Sequence, residues 1–472
     1  MVPRPITKPR CNHCRRKKIK CDYQQPACGP CLKKGLSCTY QRDLVFVIHD
    51  TGTAVPEPRR APVRSDTVQG TGTRVRKVTV PTSPEGATQN VADLYSKFLS
   101  LYLPHQEQYT SKWLPMVPNT SHQPRVVELA IRALSTMMMG QRTKNEDTKV
   151  AARRYYGRAL LDLRSMIDRP RPKSEWIQYL LATMLLQIFE SISLSGVNGF
   201  VSHAKGIAMF IQQAGPEAFQ DNPLHLTLLS GRASLIARSI FEEVPTFLAS
   251  SKWKTIPWQK IPKDDYHHLL DIFVQVPTLV YARKQLANGH SVGSMKTDNP
   301  ALLLRTCRYV NTALDDWYGD LTTRLGPLHR VIGGIEAQPK PPYTVPEFVV
   351  PNFSNGQKLF AFWIAKLVTF ESAIRTLELE SASDADKSPW LDEEYRKCTI
   401  SIADSCCILS LHFFKTFSTV LGMQFVMMPL RCAAVCYGIF DMKERQSWCL
   451  RRIGDVSNRN FGLWADMDDS KD

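Results

Sequence analysis

Six cysteines between residues 11 and 38 fall as C-x2-C-x6-C twice over: Cys11, Cys14 and Cys21, then Cys28, Cys31 and Cys38, each 17 residues after its counterpart. Nothing else in the 472-residue chain limits its fold as strongly. A structural zinc is four-coordinate and tetrahedral, so three thiolates per repeat cannot close a site. Two zinc ions need eight ligand positions, and six sulfurs fill eight only if two of them bridge both metals. The spacing therefore predicts a two-zinc cluster that joins the halves of a duplication. A disulfide framework is the rival for so many cysteines in a short run. It needs an oxidising compartment, and residues 1–30 lack the apolar core of a secretory signal. No later stretch reads as long enough to span a bilayer. The nearest, "LLATMLLQIF" at 180–189, has ten residues and is expected to be a buried helix.

Between the second and third cysteines lie Arg15, Arg16, Lys17, Lys18, Ile19 and Lys20, five cations among six residues. They follow a C-x2-C turn that can start a short helix, which would present a comb of positive charge. Residues 1–42 hold eleven Lys or Arg against a single acid, Asp22, a net of +10 that falls to +8 once two zincs and six thiolates are counted. So much charge on so small a body is the footprint of a polyanion binder. A basic run alone reads equally as a solvated face or a nuclear-import signal. Neither needs a metal-held frame, whereas aiming Lys and Arg at base edges in a major groove does.

Residues 11–38 resemble the fungal binuclear zinc cluster of transcription factors, through the "CRRKKIKCD" core and Pro26 as well as the cysteines. The resemblance implies zinc, two ions per module, held by all six cysteines with Cys11 and Cys28 as the bridging thiolates. It also implies a helix after Cys14 that enters the major groove over a CGG-like triplet. By position, Lys18 is the base-reading candidate with Lys17 beside it. Arg15, Arg16, Lys20 and His13 fall where phosphate contacts are expected. The second repeat offers only Lys33 and Lys34 and is expected to pack and steer.

Beyond residue 42 the chain holds 49 basic and 43 acidic residues, so the charge excess sits at the N-terminus. Residues 43–90, with Pro56, Pro58, Pro62, Pro81 and Pro84 and two "TGT" runs, read as a flexible linker interrupted by "LVFVI" at 44–48. No heptad series follows the cluster, so a homodimer is left open but without a zipper. After residue 91 apolar residues recur at helical spacing. Ile177, Leu180, Leu181, Met184, Leu185, Ile188 and Phe189 form one stripe. Other helices are expected near 92–103, 126–139, 150–167, 201–214, 226–243, 301–322, 357–379, 396–421 and 430–442. The fold class is thus a small zinc-cluster module followed by a large all-α helical domain over 91–472. Four stretches also resemble the fungal-specific transcription factor regulatory domain: "YYGRALLDL" at 155–163, the run ending "LLQIFE" at 190, "FVSHAKGIAMFIQQAGP" at 200–216 and "GRASLIARSIFEEVPTFLASSKW" at 231–253. Phe200 departs from the pattern, standing where relatives usually carry Trp.

His203 is read as a packing histidine. Cys406, Cys407, Cys432 and Cys436 are read as buried small hydrophobes, not a second metal site. No H-E-x-x-H, G-x-S-x-G, P-loop or G-x-G-x-x-G occurs in the helical region, which leaves an enzyme reading without nominated residues. The terminal "FGLWADMDDSKD" sets Phe461 and Trp464 among Asp466, Asp468 and Asp469, as an acidic activation segment or a frayed end would. Together these features describe a nuclear, sequence-specific regulator that binds double-stranded DNA, engages transcription machinery or co-regulators, and uses no membrane. The competing reading is a zinc-stabilised nuclear protein-interaction adaptor.

Overall fold

The computed structural model describes residues 14, 17, 19–22, 28–34, 91–103, 112–119, 125–167, 176–193, 197–288, 300–332, 347–378 and 390–458. The chain divides into two compact units, 1–81 and 82–472. The expected linker over 43–90, the "LVFVI" run and the acidic terminus lie outside the described residues.

In the first unit the helix α1, Gly29–Leu32, begins immediately after Cys28. Pro30 sits in its first turn, where its missing N–H is no loss. The described buried side chains here are Cys14, Cys21, Cys28 and Cys31, while Ile19 and Leu32 stay exposed. A body whose interior is sulfur cannot be held by burial of hydrocarbon.

The second unit is built from helices that pack as sequence neighbours. The first are α2 (Val91–Tyr102), α3 (Arg125–Arg142), α4 (Glu146–Ile167), α5 (Trp176–Ser193), α6 (Val197–Ala214) and α7 (Leu224–Glu242). Then come the short α8 (Ser251–Thr255), α9 (Asp265–Phe273), α10 (Val276–Ala287) and α11 (Pro300–Leu325). The last are α12 (Phe353–Leu377), α13 (Glu393–Thr416), α14 (Val420–Ile439) and α15 (Lys443–Asn458). The α3–α4 hairpin shows how local chemistry sets the boundaries. Lys144 turns the chain at a positive φ of 54°, and the Asn145 side chain accepts the Thr148 N–H at 2.9 Å. Glu146 and Asp147 then complement the positive end of α4.

The helix α12 is the spine, touching α9, α10, α11, α13 and α14. Its Phe353 and Phe360 meet Phe413 and Phe417 with ring centroids 4.8–5.4 Å apart, in tilted and edge-to-face arrangements. Tyr102 of α2 donates to Gln424 Oε1 of α14 at 2.9 Å, so the two ends of this unit are fastened together.

The all-helical expectation holds, with one addition. Arg330–Ile332 (β1) and Glu347–Val349 (β2) pair antiparallel as a three-residue ribbon, too short to leave an alternating signature. Other details differ from the sequence reading. The α5 stripe is in fact a helix buried on nearly every side, Thr183 and Gln187 included, because α3, α4, α6 and α7 all pack against it. The helix expected over 396–421 breaks after Thr416, where Thr419 caps α14 by accepting the Gly422 N–H. The helix expected over 430–442 is the second half of α14, which starts at Val420 and carries Pro429 in its interior. The expectation that no stretch is long enough to span a bilayer is also corrected. Both α13 and α14 are long and apolar enough, and 56% and 67% of those stretches are buried inside this unit, which accounts for their composition.

Candidate metal centre and nucleic-acid interface

Cys14 lies on helical backbone, and its carbonyl accepts the Ile19 N–H at 3.0 Å. That six-to-one bond is the kind that closes a helix C-terminus, here within the basic segment of the first repeat. Lys17 and Lys20 are exposed on it, as are Lys33 and Lys34 just after α1. Cys11, Cys38, His13, Arg15, Arg16 and Lys18 lie outside the described residues.

The sulfurs of Cys14, Cys28 and Cys31 lie within 4.8 Å of one another, and all three residues are wholly buried. The Cys14 and Cys28 sulfurs are 3.6 Å apart. A disulfide would need about 2.05 Å. Two thiolates at about 2.3 Å from one tetrahedral zinc stand about 3.8 Å apart, the class to which the observed pair belongs. A second set, Cys21, Asp22 and Cys28, also brings its ligand atoms within 4.8 Å. Cys28 is common to both sets. None of the described cysteines forms a disulfide.

Asp22 is a residue the sequence reading counted only as a charge. Its carboxylate accepts the Gly29 N–H at 2.9 and 3.1 Å, tying the end of the first repeat to the start of α1. Gly29 permits this approach, since a Cβ there would fall 2.5 Å from Asp22 Oδ2. The signal was present in the sequence as an acid directly after the third cysteine and a glycine directly after the fourth.

Residues 10–44 match the fungal Zn(2)-Cys(6) binuclear cluster domain, and residues 89–250 match the fungal specific transcription factor domain. The chain carries both domains of a zinc-cluster transcription regulator. No curated protein and no solved structure matches it. The cluster domain binds two zinc ions, and the donor set fits them: soft sulfurs, buried together, in a unit with no apolar core of its own among the described residues. When bound, zinc supplies structure and no reaction chemistry, because thiolate-closed sites leave no open position.

Within the helical unit of the regulator, the polar groups that invite a catalytic reading are committed to packing. Tyr156 of α4 gives its one hydroxyl proton to Glu190 of α5, so His203 of α6, with Nε2 2.9 Å from the same oxygen, must be the donor. Gly199 makes room for this chain, since a Cβ there would fall 2.2 Å from Glu190 Oε2. His203 is 1% exposed, and burial pushes its pKa down to about 4 despite the Glu190 carboxylate 3.9 Å away. The neutral form is therefore the one folded into the core. Such a group contributes stability that is fully present above pH about 6.5 and is lost as pH falls toward 4. Wild-type protein should lose about 3 kcal/mol across that window through this group. His203→Gln should flatten that part of the acid limb in urea titrations run at stepped pH. An unchanged limb would assign it to other groups.

Of the six cysteines in α13, α14 and α15, Cys398 is exposed and Cys406, Cys407, Cys432, Cys436 and Cys449 are buried. Cys407 and Cys449 approach to 3.5 Å, and burial raises the pKa of Cys432 and Cys436, with Cys436 pushed up to about 12. The two metal-ligand groupings found among the described residues both lie in the first unit, and burial keeps Cys432 and Cys436 on the protonated side, packed as small hydrophobes.

Proposed function

We propose that the regulator reads CGG-like half-sites with the helix that begins at Cys14, on genes transcribed by RNA polymerase II in the nucleus. In this reading Lys18 meets base edges, Lys17 sits beside it, and Arg15, Arg16, Lys20 and His13 hold phosphates. Residues 1–42 are the DNA-binding module, 43–90 a linker and 91–472 a regulatory domain that receives co-regulators. All six cysteines hold the two zincs, with Cys11 and Cys28 bridging.

The observation that carries this reading is the place of Cys28 in both ligand sets, which supports a two-metal cluster shared between repeats and hence a rigid mount for the cationic turn. Exposure of Lys17 and Lys20 supports their availability to a polyanion. The test is quantitative binding of the full chain to a CGG-containing duplex and to a scrambled one at fixed salt. Lys18→Ala should reduce discrimination between them by about 1 to 3 kcal/mol. Lys20→Ala should weaken both equally and lower the slope of log affinity against log salt by about one. Uniform loss in both variants removes Lys18 as a base reader. Equal affinity of the wild-type chain for both duplexes would favour the adaptor role instead.

A further inference from the structure

The helices α6 and α7 pack against each other and leave a cavity of about 320 Å³ beside their contact. One stripe of each helix lines it: Ala208 and Gln212 on α6, and Leu235, Arg238 and Ser239 on α7. The loop 244–247 forms the remaining wall. Local geometry fixes that loop. Glu243 takes a positive φ of 52°, uncommon for a residue with a side chain, and its carboxylate is held by Arg283 and Lys284 of α10. The Val244 N–H then reaches back to the Ser239 carbonyl at 3.0 Å, which folds Val244, Pro245 and Phe247 toward the cavity. Phe247 is kept in place by the Trp253 ring, edge-on with centroids 4.9 Å apart.

The polar groups around this cavity are not consumed by the fold. Ser239 is 1% exposed, and its hydroxyl has no hydrogen-bond partner among the described residues. A serine inside a helix commonly donates to the carbonyl four residues back, as Ser372 and Ser410 do. Burying a hydroxyl unpaired costs free energy, so this one marks a position for an outside acceptor. Arg238 is 20% exposed, and among the described residues it gives only its Nε–H, to Glu242 at 2.6 Å. Its terminal nitrogens keep four N–H donors. Thr246 accepts the Leu248 N–H at 3.4 Å, and no described residue takes its own hydroxyl proton. The charge agrees with this excess of donors. Glu242 pairs with both Arg238 and Lys205, so the three groups leave one net positive charge. The rest of the lining, Ala208, Leu235, Val244, Pro245 and Phe247, is apolar.

We propose that this cavity is a binding site for a small monocarboxylate with an apolar body. The carboxylate takes the Arg238 fork and the Ser239 hydroxyl, and the body lies against Leu235, Pro245 and Phe247. One net positive charge suits one carboxylate, whereas a phosphate dianion would leave a negative charge without a partner. The volume holds about ten water-sized atoms, which sets the ligand at the size of benzoate or hexanoate. Bound there, it ties α6, α7 and the 244–247 loop together and stabilises the helical unit in step with its occupancy. The site involves no DNA, so it stands independently of the base-reading assignment.

The test titrates the zinc-loaded full-length chain with benzoate, hexanoate, benzamide and inorganic phosphate at constant ionic strength, read by ligand-observed NMR and by the thermal transition of the helical unit. Benzoate or hexanoate should saturate below about 10 mM, the weak limit for a ligand of about nine non-hydrogen atoms, and should raise the transition temperature. Benzamide, of the same shape without the charge, should bind at least about tenfold more weakly, and phosphate should give no saturable response. Ser239→Ala should weaken carboxylate binding about tenfold with no fall in the ligand-free transition temperature, because the hydroxyl it removes has no partner in the fold. Arg238→Gln should abolish the response. Failure of both carboxylates to saturate the wild-type chain would overturn the proposal, as would benzamide or phosphate matching them. Unchanged affinity in either variant, or a destabilised Ser239→Ala, would overturn it equally.

Discussion

Replacing Cys28 by serine is expected to empty both zinc positions at once. Its sulfur belongs to the Cys14, Cys28 and Cys31 set and to the Cys21, Asp22 and Cys28 set, so one substitution removes a ligand from each. Structural zinc contributes about 10 to 16 kcal/mol to the folding of small thiolate modules at neutral pH. The first unit has no described aliphatic core to fall back on, because Ile19 and Leu32 are exposed. Zinc per chain, measured by plasma mass spectrometry, should drop from two to near none, and affinity for a specific duplex should drop to the non-specific level. The thermal transition of the second unit should not move, since its interior is built from its own helices. Cys31→Ser leaves the second set intact and should be the milder lesion. Retention of one zinc in Cys28→Ser would show that this sulfur is not shared.

Removing the Asp271 carboxylate should cost the helical unit about 3 to 5 kcal/mol, the range for stripping one partner from a buried ion pair. Arg232 of α7 is among the largest wholly buried side chains, with Nη2 2.5 Å from Asp271 Oδ1 and Nη1 donating to the His267 carbonyl at 3.2 Å. Lys263 closes on the other carboxylate oxygen, and both cations lie over the Trp258 ring, at 5.1 and 5.3 Å from its centroid. With Asp271→Ala, Arg232 and Lys263 lose the carboxylate they share while both stay at the Trp258 ring, and Arg232 is buried from water. The double variant Arg232→Met with Asp271→Leu removes charge and counter-charge together, and should recover most of the loss. Urea unfolding of the full chain measures both. A single-variant loss below about 1 kcal/mol would mean that water reaches the cluster.

This same cluster marks the limit of what the sequence disclosed. "GRASLIARSIFEE" reads as an amphipathic helix with a surface arginine, and nothing local says that Arg232 points inward toward an acid 39 residues later. The helices α9 and α10 escaped notice for related reasons. Their core positions include His267, 2% exposed, which a count of apolar residues skips, and Pro277, which resembles a breaker but occupies the first turn of α10. By contrast, the zinc module was legible because thiolate spacing encodes coordination arithmetic directly. The α3 and α4 helices were legible because their apolar periodicity coincides with burial. Asp22 fell between these cases, since its role depends on a backbone N–H seven residues away.

The hydrogen bond from Tyr102 to Gln424 joins residues 322 positions apart. Deleting the chain from its far end is therefore not a way to isolate a working half. A fragment stopped near residue 250 keeps Arg232 but lacks its acid, loses α12 entirely, and leaves Tyr102 facing solvent. A premature stop codon within α12, α13 or the start of α14 should produce aggregation and proteolysis, not a shortened regulator with altered output.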